Sequence, residues 1–161
     1  VLVTTGGVSA GEEDHVVSAF GQHGGRLDVL KVAMRPGKPV KIGMIGPMLF
    51  AGLPGKPNAA LVTFRQIALP AIRTIAGLRE VGPQWSLAVA GAAYEKRLGR
   101  TEFVPAMVSG YDELGRAVLE IIGRSSSASL MAMAQADGIA MLPPDLDMVP
   151  KGKPLHFEPF V

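Results

Sequence analysis

Apolar runs broken by glycine and proline set a strand, loop, helix rhythm over the first half of the chain. Val1-Leu2-Val3 is a short apolar run that meets Gly6-Gly7, and Ser9 and Glu12 follow at capping-box spacing. In such a box a serine hydroxyl and a carboxylate satisfy the free amides of a helix start, so a helix of about ten residues is predicted there. Gly24-Gly25 ends it, and Leu27, Val29, Leu30, Val32 and Ala33 give the next strand. Residues 40–45 and 48–53 read as two strands joined across Gly46-Pro47. A long helix is predicted from Pro57, a favourable first-turn residue, with Leu61, Phe64, Ile67, Ala68, Ile72 and Ile75 on one face. Pro70 lacks an N–H and crowds the carbonyl four residues back, so a kink or a tightened last turn is expected there.

Near Val81-Gly82-Pro83 the rhythm changes. Strands are predicted over residues 85–93, 102–111, 117–122, 139–142 and 155–160, with a small helix over 127–135. The expected fold class is therefore α/β: a mostly parallel sheet with helices in residues 1–80, then a small β-barrel or sandwich in residues 81–161. A second block of this size has a marginal core, so it is expected to lean on the first block or on another subunit.

Composition narrows the class without naming a function. The 161 residues are 48% hydrophobic and 19% charged, as in a folded globular protein rather than a disordered one. Cysteine is absent, which removes disulfides, thiolate metal sites and cysteine nucleophiles. The apolar stretch over residues 59–78 is broken by Arg65, Gln66 and Arg73, too polar for a lipid-spanning helix. The chain opens straight into a strand pattern with no basic leader and no initiator methionine. A cytoplasmic protein with further residues upstream is expected.

Net charge is +2, but residues 1–82 hold nine Lys/Arg against five Asp/Glu, and the remainder seven against nine. One Trp and two Tyr do not make a stacking surface for nucleic acid. Steering of a small anion is the better reading of the basic half. Three glycine-bearing loops lie in that half: Thr4-Thr5-Gly6-Gly7-Val8-Ser9-Ala10-Gly11, Arg35-Pro36-Gly37-Lys38-Pro39 and Gly52-Leu53-Pro54-Gly55-Lys56-Pro57. Each ends an apolar run, and two begin helices, where free amides and the helix dipole favour negative charge. Together they read as a composite pocket for a phosphorylated small molecule. Against this stands the need of any strand-to-helix turn for glycine.

Other chemistries find no support. Thr5-Gly6-Gly7 does not fit the phosphate loop of nucleotide hydrolases, and no serine sits in a nucleophile elbow. His15, His23 and His156 lack metal-ligand spacing, and the Glu95, Lys96, Arg97, Arg100 stretch reads as a solvated face.

The run from Thr4 to Asp14 resembles the TTGGVSxGxxD segment of the MoeA family of molybdopterin molybdenumtransferases, to which gephyrin E domains belong. Residues 33–39 resemble its K/RPGKP loop, residues 52–57 its GLPGNP loop, and residues 99–103 with 136–139 patterns of its last domain. The four segments occur in the family's order and spacing. The resemblance implies that residues 1–80 are the second part of a molybdopterin-binding α/β domain and residues 81–161 a C-terminal β-barrel domain. It implies insertion of molybdate into adenylylated molybdopterin with release of AMP, a divalent metal such as Mg2+, and a homodimer. It departs from the family at Lys56, where asparagine is usual, and at Pro105, where an arginine is common. A non-catalytic module that binds molybdopterin or acts as a dimerising scaffold is the rival reading.

Under the resemblance Asp14 is the catalytic and metal-holding carboxylate. Its position in the first turn of a predicted helix suits a favourable helix-end charge equally well. Thr5, Gly6, Gly7, Ser9 and Gly11 would cradle the pterin phosphate. Arg35, Gly37 and Lys38 would line it from a turn that fixes the two cations, and Pro54, Gly55 and Lys56 would close it. Lys56 reads either as an electrostatic cap on the pocket or as a surface substitution.

Overall fold

The structure, a computed structural model, describes residues 1–7, 15–37, 39–123 and 129–160. The chain divides into two compact units, Val1–Pro83 and Gln84–Val161.

In the first unit the strands are β1 (Leu2–Thr5), β2 (Arg26–Lys31), β3 (Met34–Arg35), β4 (Pro39–Ile45) and β5 (Met48–Leu53). Four of them form a sheet in the order β1-β5-β4-β2. The parallel geometry expected of this sheet is found between β1 and β5, where Leu2 faces Phe50 and Thr5 faces Leu53. The other two pairings run antiparallel. For β4 and β5 the cause is local: the turn at Gly46-Pro47 is too short for a crossover, so the two can only fold back as a hairpin.

Helix α1 (His15–Gln22) covers one sheet face through Phe20, whose ring lies 4.6 Å from that of Phe50, with Val16, Leu27 and Ile45 packed around the pair. On the opposite face Ala51 and Leu53 meet Ala60, Phe64 and Ala68. Alternation along β5 thus sends Phe50 to one helix layer and its neighbour Ala51 to the other, which is why this strand is buried almost throughout.

Helix α2 (Pro57–Thr63) passes through a π turn (Phe64–Ala68) into α3 (Leu69–Ile75). The N–H of Leu69 donates to the carbonyl of Phe64, a five-residue step. Pro70 accounts for it: its ring would collide with the Gln66 carbonyl in an α-helix and it has no N–H to return, so the chain widens one turn instead of breaking. The long apolar face predicted from sequence is correspondingly divided. Ala59, Val62, Thr63 and Ala68 are buried, whereas Leu61 and Phe64 are half-buried and Ile75 is exposed.

The second unit holds β6 (Ser86–Ala90), β7 (Tyr94–Glu95), β8 (Thr101–Tyr111), β9 (Ala117–Ile121), α4 (Ser129–Gln135), β10 (Gly138–Leu142), β11 (Met148–Val149) and β12 (Pro154–Pro159). The order β10-β12-β6-β9-β8 closes through a β8–β10 pairing into a five-stranded barrel, with β6 and β9 parallel. Closure leaves these strands no free edge. Small residues make the narrow interior possible: Ala88, Ala90, Ala106 and Ala140 surround Leu119, Leu142, Leu155 and Phe157. β7 and β11 pair with each other outside it. There Lys96 is not a solvated charge, because its ammonium donates to the carbonyls of Leu146 at 2.9 Å and Arg97 at 3.0 Å.

Candidate functional site

Thr5 ends the parallel pair β1/β5, and the chain leaves the sheet at Gly6 and Gly7, both at positive φ (77° and 66°). The N–H of Gly6 donates to the Leu53 carbonyl at 3.1 Å, extending the ladder one step past the strands. The Thr5 hydroxyl donates to the Pro54 carbonyl at 3.2 Å. A Cβ added to Gly55 would lie 3.3 Å from the Gly6 Cα. The first and third glycine loops are therefore in backbone contact, at the carboxyl ends of two parallel strands, where ligands of open α/β sheets bind.

Among the residues singled out from the sequence, the structure brings together Thr5, Gly6, Gly7, Pro54, Gly55 and Lys56. Lys56 is exposed and precedes α2, with no side-chain cap on the helix start. The Arg35 loop lies elsewhere on the same unit. Gly37 has φ +106°, and a Cβ there would come within 2.5 Å of the Thr63 hydroxyl oxygen. Thr63 ends α2, six residues from Pro57, or about 9 Å along the helix axis. The Gly37 loop thus stands by the last residue of α2 and the Gly55 loop just before its first. Asp14, Ser9, Gly11 and Lys38 lie outside the described residues, as does Glu12 of the expected capping box.

Between β1 and α2 lies a cavity of about 540 Å³, with Val3, Thr5 and Leu53 on the sheet side and Ala60, Leu61 and Phe64 on the helix side. Leu61 and Phe64 belong to the single apolar helix face predicted from the sequence. Nothing in an apolar helix pattern separates a residue facing the core from one facing a cleft beside it. Two threonine hydroxyls, those of Thr4 and Thr63, are buried without a hydrogen-bond partner among the described residues. Thr63 was not singled out from sequence, since only the fold sets it against Gly37.

No three carboxylate or histidine side chains gather into a metal-holding group among the described residues. No helix of the described residues is long and apolar enough to cross a membrane.

Residues 1–74 match the family described as "Probable molybdopterin binding domain", and residues 88–160 match "MoeA C-terminal region (domain IV)". The chain is 30% identical over 161 residues to the molybdopterin molybdenumtransferase of Haemophilus influenzae, covering 99% of this chain and 39% of that protein. It is 34% identical over 143 residues to the Drosophila melanogaster molybdenum cofactor synthesis protein cinnamon, covering 88% of this chain and 24% of that one. In fold it superposes on a molybdopterin biosynthesis MoeA protein from Pyrococcus horikosii with a TM-score of 0.75 at 24% identity, over 100% of this chain and 37% of the other. The chain thus spans at most about two fifths of the length of these relatives.

Proposed function

This chain belongs to the MoeA family, and on that premise we propose that it acts in molybdenum cofactor biosynthesis, carrying the pterin-phosphate-binding part of a molybdopterin molybdenumtransferase. The observation that carries the proposal is the backbone contact of the Gly6 and Gly55 loops at the mouth of a cavity, within the segment matching a molybdopterin-binding family.

The chemistry of the substrate suits the loops. Molybdopterin ends in a phosphate, and in its adenylylated form that phosphate is joined to AMP by an anhydride. Glycines let backbone amides approach such oxygens without side-chain interference. Lys56 stands at the edge of this mouth as an exposed cation, and Arg35 and Lys38 add charge for the remainder of a long anion. Transfer then means that the two dithiolene thiols replace two oxo groups of molybdate, which leave as water, and that one water is consumed in cleaving the anhydride to give AMP and the free pterin phosphate. The protein's part is to fix the pterin phosphate and stabilise the charge on it.

Asp14 is carried in this proposal as the carboxylate on the molybdate side. Mg2+, a homodimer and a cytoplasmic location complete the proposal.

The test is calorimetric titration of the chain with molybdopterin and with its adenylylated form, followed by molybdate and assay of AMP. Saturable binding with molybdate-dependent AMP release is expected of a functional transferase site. A folded chain that binds neither form overturns the proposal.

A further inference from the structure

Two threonines of the helical segment treat their hydroxyls differently. A helical threonine can bond a carbonyl three or four residues back, and Thr74 does so, donating to the Pro70 carbonyl at 2.9 Å. Thr63, the last residue of α2, is fully buried, yet its hydroxyl bonds no carbonyl of its own helix and has no hydrogen-bond partner among the described residues. Burying a hydroxyl in this state costs stability. Packing alone does not call for it, because a valine of nearly the same shape fills such a space without that cost.

The surroundings give the hydroxyl another use. Gly37 is buried at φ +106°, and the space where its side chain would stand is taken by the Thr63 oxygen, 2.5 Å from the position of a Cβ, and by the Met34 Cε, 3.3 Å from it. An oxygen is smaller than a methyl group and accepts the weak Cα–H contact that a glycine offers. Turn and helix end therefore meet through the one atom of Thr63 that a valine lacks. Arg35 stands two residues before Gly37, exposed at the end of β3. At the other end of α2, Lys56 lies between Gly55 and Pro57, which line the cavity. From Lys56 to Thr63 the helix rises about 10 Å as one stiff piece.

Resting on the functional reading above, we infer that Thr63 is a positioning residue for the molybdopterin site: its hydroxyl seats the Gly37 turn on the end of α2 and so fixes Arg35 relative to the Gly55 loop at the helix start. Thr63 itself touches no substrate. It acts through Arg35, whose guanidinium presents its donors in a fixed fork and so depends on where its backbone is held.

The dissociation constant of molybdopterin is measured for the wild-type chain, for Thr63→Val, Thr63→Ala and Thr63→Ser, for Arg35→Gln and for Thr63→Val combined with Arg35→Gln, with a thermal unfolding curve for each. Thr63→Val places a methyl group where the oxygen was, and is expected to stay folded and to bind about tenfold more weakly. Thr63→Ala leaves the turn unseated without crowding it and is expected to weaken binding likewise. Thr63→Ser keeps the oxygen and loses a methyl, so it is expected to bind as the wild type does while unfolding at a lower temperature. Affinity that follows the hydroxyl while stability follows the methyl is a pattern that a purely structural role does not produce. In the Arg35→Gln background Thr63→Val is expected to have no further effect on affinity, since the group it positions is gone.

If the wild-type chain binds molybdopterin and the folded variants without the hydroxyl bind it equally tightly, the inference falls and the proposed function stands. Losses from Thr63→Val and Arg35→Gln that simply add, or a Thr63→Ser variant that binds as weakly as Thr63→Ala, also overturn it. A folded wild-type chain that binds no molybdopterin removes the functional reading and this inference together.

Discussion

Gly6 and Gly55, forty-nine positions apart in sequence, meet backbone to backbone, with room for a Cβ on Gly55 only 3.3 Å from the Gly6 Cα. Parallel pairing of β1 and β5 sets this contact: Thr5 faces Leu53, and each chain turns off the sheet just beyond. The Gly6 amide is spent on the Leu53 carbonyl, so what this apposition offers an anion is close approach to two side-chain-free turns.

Gly6 at φ +77° occupies the left-handed region. Gly6→Ala is expected to cost about 1–2 kcal/mol of folding stability, read as a lower urea midpoint at unchanged slope, and to weaken molybdopterin binding by more than the stability loss explains. An unchanged midpoint would mean that the loop relaxes freely.

Gly37→Ala should be more damaging, since the new methyl would come within 2.5 Å of the Thr63 hydroxyl oxygen at φ +106°. A double-mutant cycle with Thr63→Ala is expected to recover part of the loss by removing the hydroxyl, with a coupling of about 0.5–3 kcal/mol. Strictly additive unfolding free energies would contradict the contact. Thr63→Val alone removes a buried hydroxyl that has no partner among the described residues and is expected to be neutral or slightly stabilising.

In the barrel, the Asp137 carboxylate accepts the N–H of Val108 at 2.7 Å, beside the register shift between Val108 and Gly110. Asp137→Ala leaves that amide without its acceptor and is expected to cost about 1–2 kcal/mol. Asp137→Asn, which keeps a carbonyl, should retain most of the stability. Equal denaturation midpoints for all three proteins would show that the bond is idle.

The pH dependence of stability has an identifiable contributor at the β8–β9 turn. Partial desolvation raises the Asp112 pKa, but hydrogen bonds from the Arg116 backbone, the Arg116 side chain and the Leu114 backbone, with the Arg116 charge, outweigh it and leave the carboxyl below its ordinary value. A lowered folded-state pKa contributes stability above the unfolded-state value of about 3.9 that is lost as pH falls through the folded-state value. Urea titrations from pH 7 down to pH 3 should show the wild type losing its advantage over Asp112→Asn as the carboxyl protonates. A gap independent of pH would rule the pair out as a source of this dependence.

Strands were legible wherever an apolar run ended in glycine or proline. β5 occupies the predicted residues 48–53, and β8, β9, β10 and β12 fall within a residue of prediction. β7 and β11 escaped because two-residue strands carry no periodicity. Sheet direction was legible only in part, because alternation along a strand reports which faces are buried and is silent on the neighbour's direction. At the candidate site the glycine loops announced themselves by composition. Their sorting into a Gly6–Gly55 contact and a separate Gly37–Thr63 contact depends on strand order, and the apolar wall of Leu61 and Phe64 looks like core in any helical pattern.

The most direct measurement is the dissociation constant of molybdopterin for the wild-type chain and for Gly55→Ala, taken alongside their thermal unfolding. The added methyl must push the two loops apart by a few tenths of an ångström. If their contact forms the phosphate cradle, affinity falls about tenfold or more, a change of about 1.4 kcal/mol, while the fold is retained. Equal affinity in two folded proteins would contradict it and would move the phosphate away from the Gly6–Gly55 contact.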